Sequence, residues 1–223
     1  MGVDEKKIAI ITCVNDESLY QEAMLYIRHL EIPAGMTVEI LEVWEAKSMT
    51  AGYQYAMENS DAKYKIYIHQ DCFLCNKNIL QDLVNIFLQD SSIGVIGVAG
   101  AGDLSVEKPV WWCSRQQYGT IYTKQGYEHM HQDRFGEVAE PYVEAAVVDG
   151  VFMATQYDLP WRQELFDGWH FYDVSQSREF INAGYKVVIP YQEKPWVIHF
   201  SPRKTTFDGY NKYSKIFLQE YFY

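Results

Sequence analysis

The 223 residues carry a net charge of −11, with 48% hydrophobic and 22% charged residues. A chain of that length and composition buries a sizeable core, which excludes a disordered protein and fits one large domain. The acidic balance excludes a basic surface for nucleic acid or anionic membrane, although helix N-termini and a cation can still hold the phosphates of a single nucleotide.

No apolar run approaches the ~20 residues of a spanning helix, and the charged residues 1–7 lead into a strand-like run without a cleavage-site pattern. A cytoplasmic protein without a transmembrane segment is the expectation. Four cysteines in a chain this long do not make a disulfide framework. Cys72 and Cys75 have the spacing of a metal or redox pair, but Cys13 and Cys113 lie too far apart in sequence to form a second one, so the thiols read as buried or incidental.

In chain order, residues 7–13 form an isoleucine-dominated run followed by Asn15, Asp16 and Glu17, a strand followed by helix-start residues. Leu19, Ala23, Ile27 and Leu30 then make the stripe of an amphipathic helix, which Pro33 closes. Residues 37–44 predict a second strand, and Ser48 caps a helix reaching about residue 59, with Gly52 in its early turns. A third strand over residues 64–68 ends at His69-Gln70-Asp71. Asn76 is the expected cap of the next helix, with Ile79, Leu80, Leu83, Ile86 and Phe87 on its core face, and residues 93–98 are strand four. Strands alternating with helices in this way predict an α/β fold, a doubly wound, mostly parallel sheet whose ligands sit beyond the strands' carboxyl ends.

Beyond Gly97 the regularity fades. Gly100, Gly102, Trp111, Trp112, Tyr118, Tyr122 and Tyr127 occupy a long segment that reads either as a binding loop or as aromatic cover for the sheet. Residues 144–155 read as two strands around an Asp149-Gly150 turn, or as one strand with a glycine making room for a ligand. Phe166 opens a Phe-Asp-Gly-Trp-His-Phe-Tyr-Asp stretch, and Val174, Ser177 and Ile181 continue as a helix ended by Gly184. Residues 185–190 predict a late strand, and residues 195–199 an apolar run ending in His199. Residues 208–223, starting at Asp208, predict an aromatic C-terminal helix that docks on the body or on a second subunit, a route to a homo-oligomer. No repeat, linker or boundary interrupts the chain, so residues 1–223 read as one domain.

Three groups stand out chemically. Asp71, at a strand end, is either an acceptor for turn amides or a ligand of a hard cation such as Mg²⁺ or Mn²⁺. His69 shares its face on an extended strand and reads as a packed or supporting group rather than a ligand. Asp173 reads as a helix N-cap or as a general base, its pKa raised by a pocket of Trp169, His170 and Tyr172. His199 is a core histidine or a second ligand beside Asp71. A second His131-Gln132-Asp133 triplet, with His129, lies in a polar stretch and reads as a surface loop.

These motifs together resemble the GT-A glycosyltransferases of the family-2-like type, especially the bacterial group whose acidic motif reads His-Gln-Asp. The resemblance runs from the first strand to His199, and is carried by Tyr67-Ile-His-Gln-Asp71, Asp149-Gly-Val-Phe, Trp161-Arg, the 166–173 stretch and Pro195-Trp-Val-Ile-His199. It implies a nucleotide-binding half over residues 1–100 and an acceptor-side half over residues 101–223. It further implies a cytoplasmic bacterial enzyme of polysaccharide biosynthesis, moving a sugar from a nucleoside-diphosphate sugar, UDP-linked, to a glycan or other hydroxyl acceptor with inversion and with Mn or Mg. Asp71 and His199 match the metal ligands and Asp173 the base. Thr12, Val14, Asn15, Glu17, Met49, Gly52 and Gln70 match the donor site, while Asp149, Gly150, Trp169 and His170 border the sugar and acceptor. Two departures stand out: His69 replaces the first acid of Asp-x-Asp, and Tyr172 replaces the glutamate of Glu-Asp. A non-catalytic glycan- or nucleotide-sugar-binding protein on the same fold is the alternative.

Overall fold

The isoleucine run near the start becomes β1 (Asp4–Val14), a strand of the main sheet one place in from its edge. The structure is a computed structural model that describes residues 2–126, 129–201 and 209–223; the expected positions Tyr127 and Asp208 lie outside them. After β1 come α1 (Glu17–Ile27), β2 (Thr37–Trp44), α2 (Met49–Glu58), β3 (Ala62–His69), β4 (Cys72–Leu74), α3 (Ile79–Gln89), β5 (Ile93–Gly97) and β6 (Ala99–Ala101). The second half adds β7 (Gln117–Gln125), β8 (His131–Gly136), β9 (Tyr142–Glu144), β10 (Val147–Val148), β11 (Phe152–Thr155), α4 (Tyr172–Asn182), β12 (Lys186–Pro190), β13 (Val197–Ser201) and α5 (Tyr210–Tyr221).

The main sheet runs β2-β1-β3-β11-β5-β12-β9. Alternation along its strands divides the core. Ile8, Ile10, Ile66 and Ile68 face α1 and α3, whereas Ala9, Ile11, Tyr67 and Met153 face α2 and α4. Because both faces are covered, these strands read as continuous apolar runs. The pairs β1–β2, β1–β3 and β5–β12 are parallel, as βα alternation predicts. The strand β11 instead enters antiparallel between β3 and β5, so the sheet is mixed.

Local signals set the helix starts. Asp16 accepts the Ser18 and Leu19 amides at the head of α1, and Ser48 accepts the Ala51 amide at the head of α2. Replacing Ser48 with Ala is expected to cost about 1 kcal/mol, a fall in Tm of about 2–4 °C readable by thermal denaturation. Asn76 does not cap α3: its side chain accepts the Asn78 amide and its carbonyl the Ile79 amide in a turn that precedes the helix.

A second sheet, ordered β10-β6-β7-β13-β4 with β8 against β7, takes up what the sequence presents as an irregular segment. Its strands include several of two or three residues, too short to give a periodic signal. The Asp149-Gly150 pair makes neither the hairpin nor the continuous strand expected of it. The strand β10 pairs with β6 in the second sheet and β11 with β3 in the first, so the two residues carry the chain from one sheet to the other. The His131-Gln132-Asp133 triplet is likewise on a strand, β8, rather than in a loop.

The C-terminal helix docks on the body of its own chain. Tyr213 and Phe217 are buried, Arg162 is paired with Glu179 on α4 and Glu220 on α5, and Asp167 takes hydrogen bonds from Lys212 and Tyr213. Among the described residues no helix is long and apolar enough to cross a membrane.

Candidate active site

The carboxyl ends of β1 and β3 are neighbours in the main sheet, yet the chain leaves β1 toward β2 on one side and returns to β3 on the other. A crevice opens at such a switch point. Gln70 ties the two loops there together: its carbonyl accepts the Asn15 and Asp16 amides, both at 2.9 Å, and its amide donates to Asn15 Oδ1 at 2.6 Å. The loop after β1 is thereby fixed to the loop after β3.

Of the other residues expected around a donor, Asn15 and Glu17 are exposed at the head of α1, and Met49 is half-buried at the head of α2. The side chains of Thr12 and Val14 are buried within β1. Gly52 has a packing reason, since a Cβ there would lie 2.4 Å from Cys13 Sγ. The α2 helix can approach the sheet only without a side chain at that point.

Two sheets combine to assemble a titratable cluster. The strand β3 delivers His69 and, just past its end, Asp71. The strand β13 pairs antiparallel with β4 in a register that sets His199 against Cys72, and the Phe200 amide donates to the Asp71 carbonyl at 2.8 Å. Asp71 Oδ1 consequently lies 3.8 Å from His69 Nδ1 and 3.8 Å from His199 Nε2. The three donor atoms all fall within 4.8 Å of one another, the one group of metal-ligating type found among the described residues.

Among those residues the Asp71 carboxylate caps no backbone amide. Its surroundings are two imidazoles, which fits a divalent cation bound by one oxygen and two nitrogens. Burial holds His69 below the usual imidazole range and keeps the ring neutral, the form that can ligate. The shared strand face of His69 and Asp71 expected from the sequence is what brings the His69 ring into this group. The cysteines take no part. Cys13 and Cys72 are buried, and burial pushes the Cys13 thiol up to about 12 and that of Cys75 to about 11.

Beside this group stands a second acid. The α4 helix begins at Tyr172, preceded by Phe171 in the left-handed region at φ 64°, a costly conformation for a bulky residue. Phe171 is held there under α5, with ring centroids 5.3 Å from Tyr210 and 5.6 Å from Phe217. Asp173 is therefore in the first turn rather than at the cap. One of its oxygens accepts the Val174 amide at 2.9 Å and the other the Gly150 amide at 3.0 Å. Desolvation, reinforced by the negative charge of Asp149, pushes its carboxyl up to about 7. The role of Asp149 was not foreseen. It lies where the chain changes sheets, and its carboxylate accepts the Val151 amide at 2.8 Å. Trp169 is exposed and His170 is half-buried with its ring 6.2 Å from that of Tyr210.

Tyr172 links the two acids. Its hydroxyl meets His69 Nε2, and the same hydroxyl fills the space over Gly150, where a Cβ would sit 2.1 Å away. Gly150 is thus required by close approach, not by a turn.

The sequence profile of a glycosyltransferase-like family matches residues 9–221. The chain belongs to this glycosyltransferase-like family. No curated protein sequence matches it. Its fold is that of the GT-A glycosyltransferases. It is similar to TarS of S. aureus, residues 1–349, solved with UDP (9% identity, TM-score 0.59, 96% of this chain). It is also similar to the mannosyltransferase PcManGT of Pyrobaculum calidifontis solved with GDP-Man and Mn²⁺ (11%, 0.52, 93%), and to GalNAc-T7 solved with UDP, GalNAc and Mn²⁺ (11%, 0.56, 98%). The chain spans 65%, 60% and 49% of the lengths of those three proteins.

Proposed function

We propose that this glycosyltransferase-family chain moves a sugar from a nucleoside-diphosphate sugar, UDP-linked, to a hydroxyl of a glycan or other acceptor, inverting the anomeric carbon. The observation that carries the reading is the Asp173 carboxyl, pushed up to about 7 by burial, next in the chain to Tyr172, whose hydroxyl meets His69 of the three-donor group. A base is most effective when its pKa lies near the working pH, and Asp173 meets that condition by burial.

In this reading residues 1–100 form the nucleotide half. Asn15 and Glu17 lie beside the nucleoside, Met49 faces the donor and Gln70 supports the diphosphate, while Thr12, Val14 and Gly52 support these positions from within the core. Asp71 and His199 hold the divalent ion, Mn or Mg, which when bound offsets the negative charge of the diphosphate. Asp149 and Gly150 border the sugar, and Trp169 and His170 the acceptor. Asp173, deprotonated, accepts the proton of the attacking hydroxyl as the bond to the diphosphate breaks on the opposite side of the anomeric carbon. The UDP, UDP-GlcNAc and Mn²⁺ in the similar structures support the donor class and the ion. Polysaccharide assembly in a bacterial cytoplasm goes with this reading.

Calorimetry with UDP- and GDP-linked sugars, with and without Mn²⁺, tests it. Tighter donor binding with Mn²⁺ is expected. Glycan binding with no affinity for any donor would point instead to a non-catalytic binding protein on the same fold.

A further inference from the structure

The helix that carries Asp173 starts without a capping side chain. Its N-cap is Phe171, which makes no side-chain hydrogen bond to the first turn and sits in the left-handed region. Helix starts are ordinarily secured by a Ser, Thr, Asp or Asn that accepts a free amide. Here the cap residue packs its ring against Tyr210 and Phe217 of α5 instead. We propose that α5 is a positioning element of the active site: through Phe217 and Phe171 it holds the first turn of α4, and with it the Asp173 carboxylate, in place. The inference rests on reading Asp173 as the base, and goes beyond it in naming what sets the position of that base.

Residues 166–171 are held from two sides. Toward the donor side, the Phe166 carbonyl accepts the Thr50 hydroxyl at 2.6 Å and the Gly168 carbonyl accepts the Met49 amide at 3.0 Å, both at the head of α2. Toward the C-terminus, Asp167 is bound by Lys212 and Tyr213, and a Cβ on Gly168 would lie 2.4 Å from the Tyr213 hydroxyl oxygen. The segment therefore approaches α5 as closely as backbone can. Farther along α4 the two helices are tied again, by Arg162 between Glu179 and Glu220 and by the Tyr221 hydroxyl donating to Glu179 at 2.6 Å. A left-handed phenylalanine persists only where its surroundings over-determine it, and α5, anchored at both ends of this contact, supplies that constraint.

Without the support of α5, Phe171 relaxes to an ordinary backbone region and the first turn of α4 moves with it. Asp173 then leaves the Gly150 amide and meets water, which removes the desolvation that dominates its environment. The titratable groups that face Asp173 are Asp149 where the chain changes sheets, Tyr53 of α2 and Tyr172 of its own helix. None belongs to α5, so a change in its titration when α5 is loosened reports position and hydration rather than a lost charge.

The test compares the full-length wild type with Phe217→Ala, Phe171→Gly, the double variant and Phe87→Ala. Phe87 stacks on Tyr64 at 5.6 Å, at the opposite end of β3 from His69, so its truncation opens a comparable cavity away from the site. Two quantities are read: the pH midpoint of the Asp173 carboxyl ¹³C resonance, identified by its absence in Asp173→Asn, and Mn²⁺-supported turnover of UDP-linked sugars, hydrolysis included. The wild-type midpoint is expected at about 7. Phe217→Ala and Phe171→Gly are each expected to lower it by at least about one pH unit, and to lower kcat about 10–100-fold with donor KM changed less than about threefold. The double variant is expected to do no worse than the weaker single one, because both break the same contact. Phe87→Ala is expected to lose stability and keep the wild-type midpoint. Glycine takes the left-handed region without strain, so Phe171→Gly carries the test where Phe217→Ala does not fold. An unchanged midpoint in either folded variant, or an equal fall in Phe87→Ala, overturns the proposal. The expected midpoints without turnover of any nucleotide sugar would leave α5 as the support of Asp173 and remove the transferase reading instead.

Discussion

Asp173→Asn is expected to lower sugar transfer by at least about 100-fold while the protein stays folded, since a positioned base contributes roughly 10²–10⁴ in rate. The asparagine retains one carbonyl acceptor for the Gly150 or Val174 amide, so the first turn of α4 loses at most one of its two side-chain contacts. The pH dependence sharpens the prediction. With the carboxyl held near 7, kcat/KM of the wild type is expected to decline about tenfold per unit as pH falls below that value, because only the ionised form accepts a proton. Stability moves the other way. The folded pKa lies above the ordinary 3.8, so the native state binds the proton more tightly, and stability present below about pH 4 is lost as pH rises through about 7. The asparagine variant lacks that loss and is expected to gain on the wild type in denaturant melts at higher pH. Transfer retained at wild-type rate in Asp173→Asn would remove this residue from the chemistry.

Asp71→Ala is expected to reduce metal-supported transfer roughly 100–1000-fold and to abolish the tightening of donor binding by Mn²⁺, because a bound ion supplies several kcal/mol of charge stabilisation. Asp71 is central among the three donor atoms, at 3.8 Å from both imidazoles. Its carboxylate caps no amide among the described residues, so thermal stability without metal is expected to change little. Mn²⁺ that still strengthens donor binding in this variant would have to be held elsewhere.

What could be read from the sequence was whatever local spacing encodes. The bounds of β2, the Ser48 cap and the apolar face of α3 follow from periodicity and capping chemistry, and the structure reproduces them, whereas α1 ends at Ile27 and buries Tyr20 and Met24 with Ala23 and Ile27 in place of the expected Leu19 and Leu30. Asp71 and Asp173 could be placed from the sequence beside the end of β3 and the start of α4, whereas His199, expected at a strand end, is in the middle of β13. Pairings between distant segments could not be read in the same way. An Asp-Gly step after a valine pair looks like a hairpin turn, yet the strand that claims Phe152–Thr155 is β3, more than 80 residues earlier, and Gly150 is glycine because of Tyr172. The contact of His69 with Tyr172 is hidden for the same reason, since the two lie 103 residues apart. The β6–β8 region looked irregular because β6 is three residues long and the nine residues of β7 and six of β8 mix polar and aromatic side chains with no buried face that alternates cleanly.

The position of β11 bears on how the molecule is assembled as it leaves the ribosome. This strand lies between β3 and β5, so residues 62–69 and 93–97 have no sheet partner between them until residues 152–155 have been synthesised. Until then the emerging chain presents two open, strongly apolar strand edges, the kind of surface on which aggregation begins. The main sheet is therefore complete only when β9, β11 and β12 have joined the strands of the first hundred residues, so the early strands await the late ones.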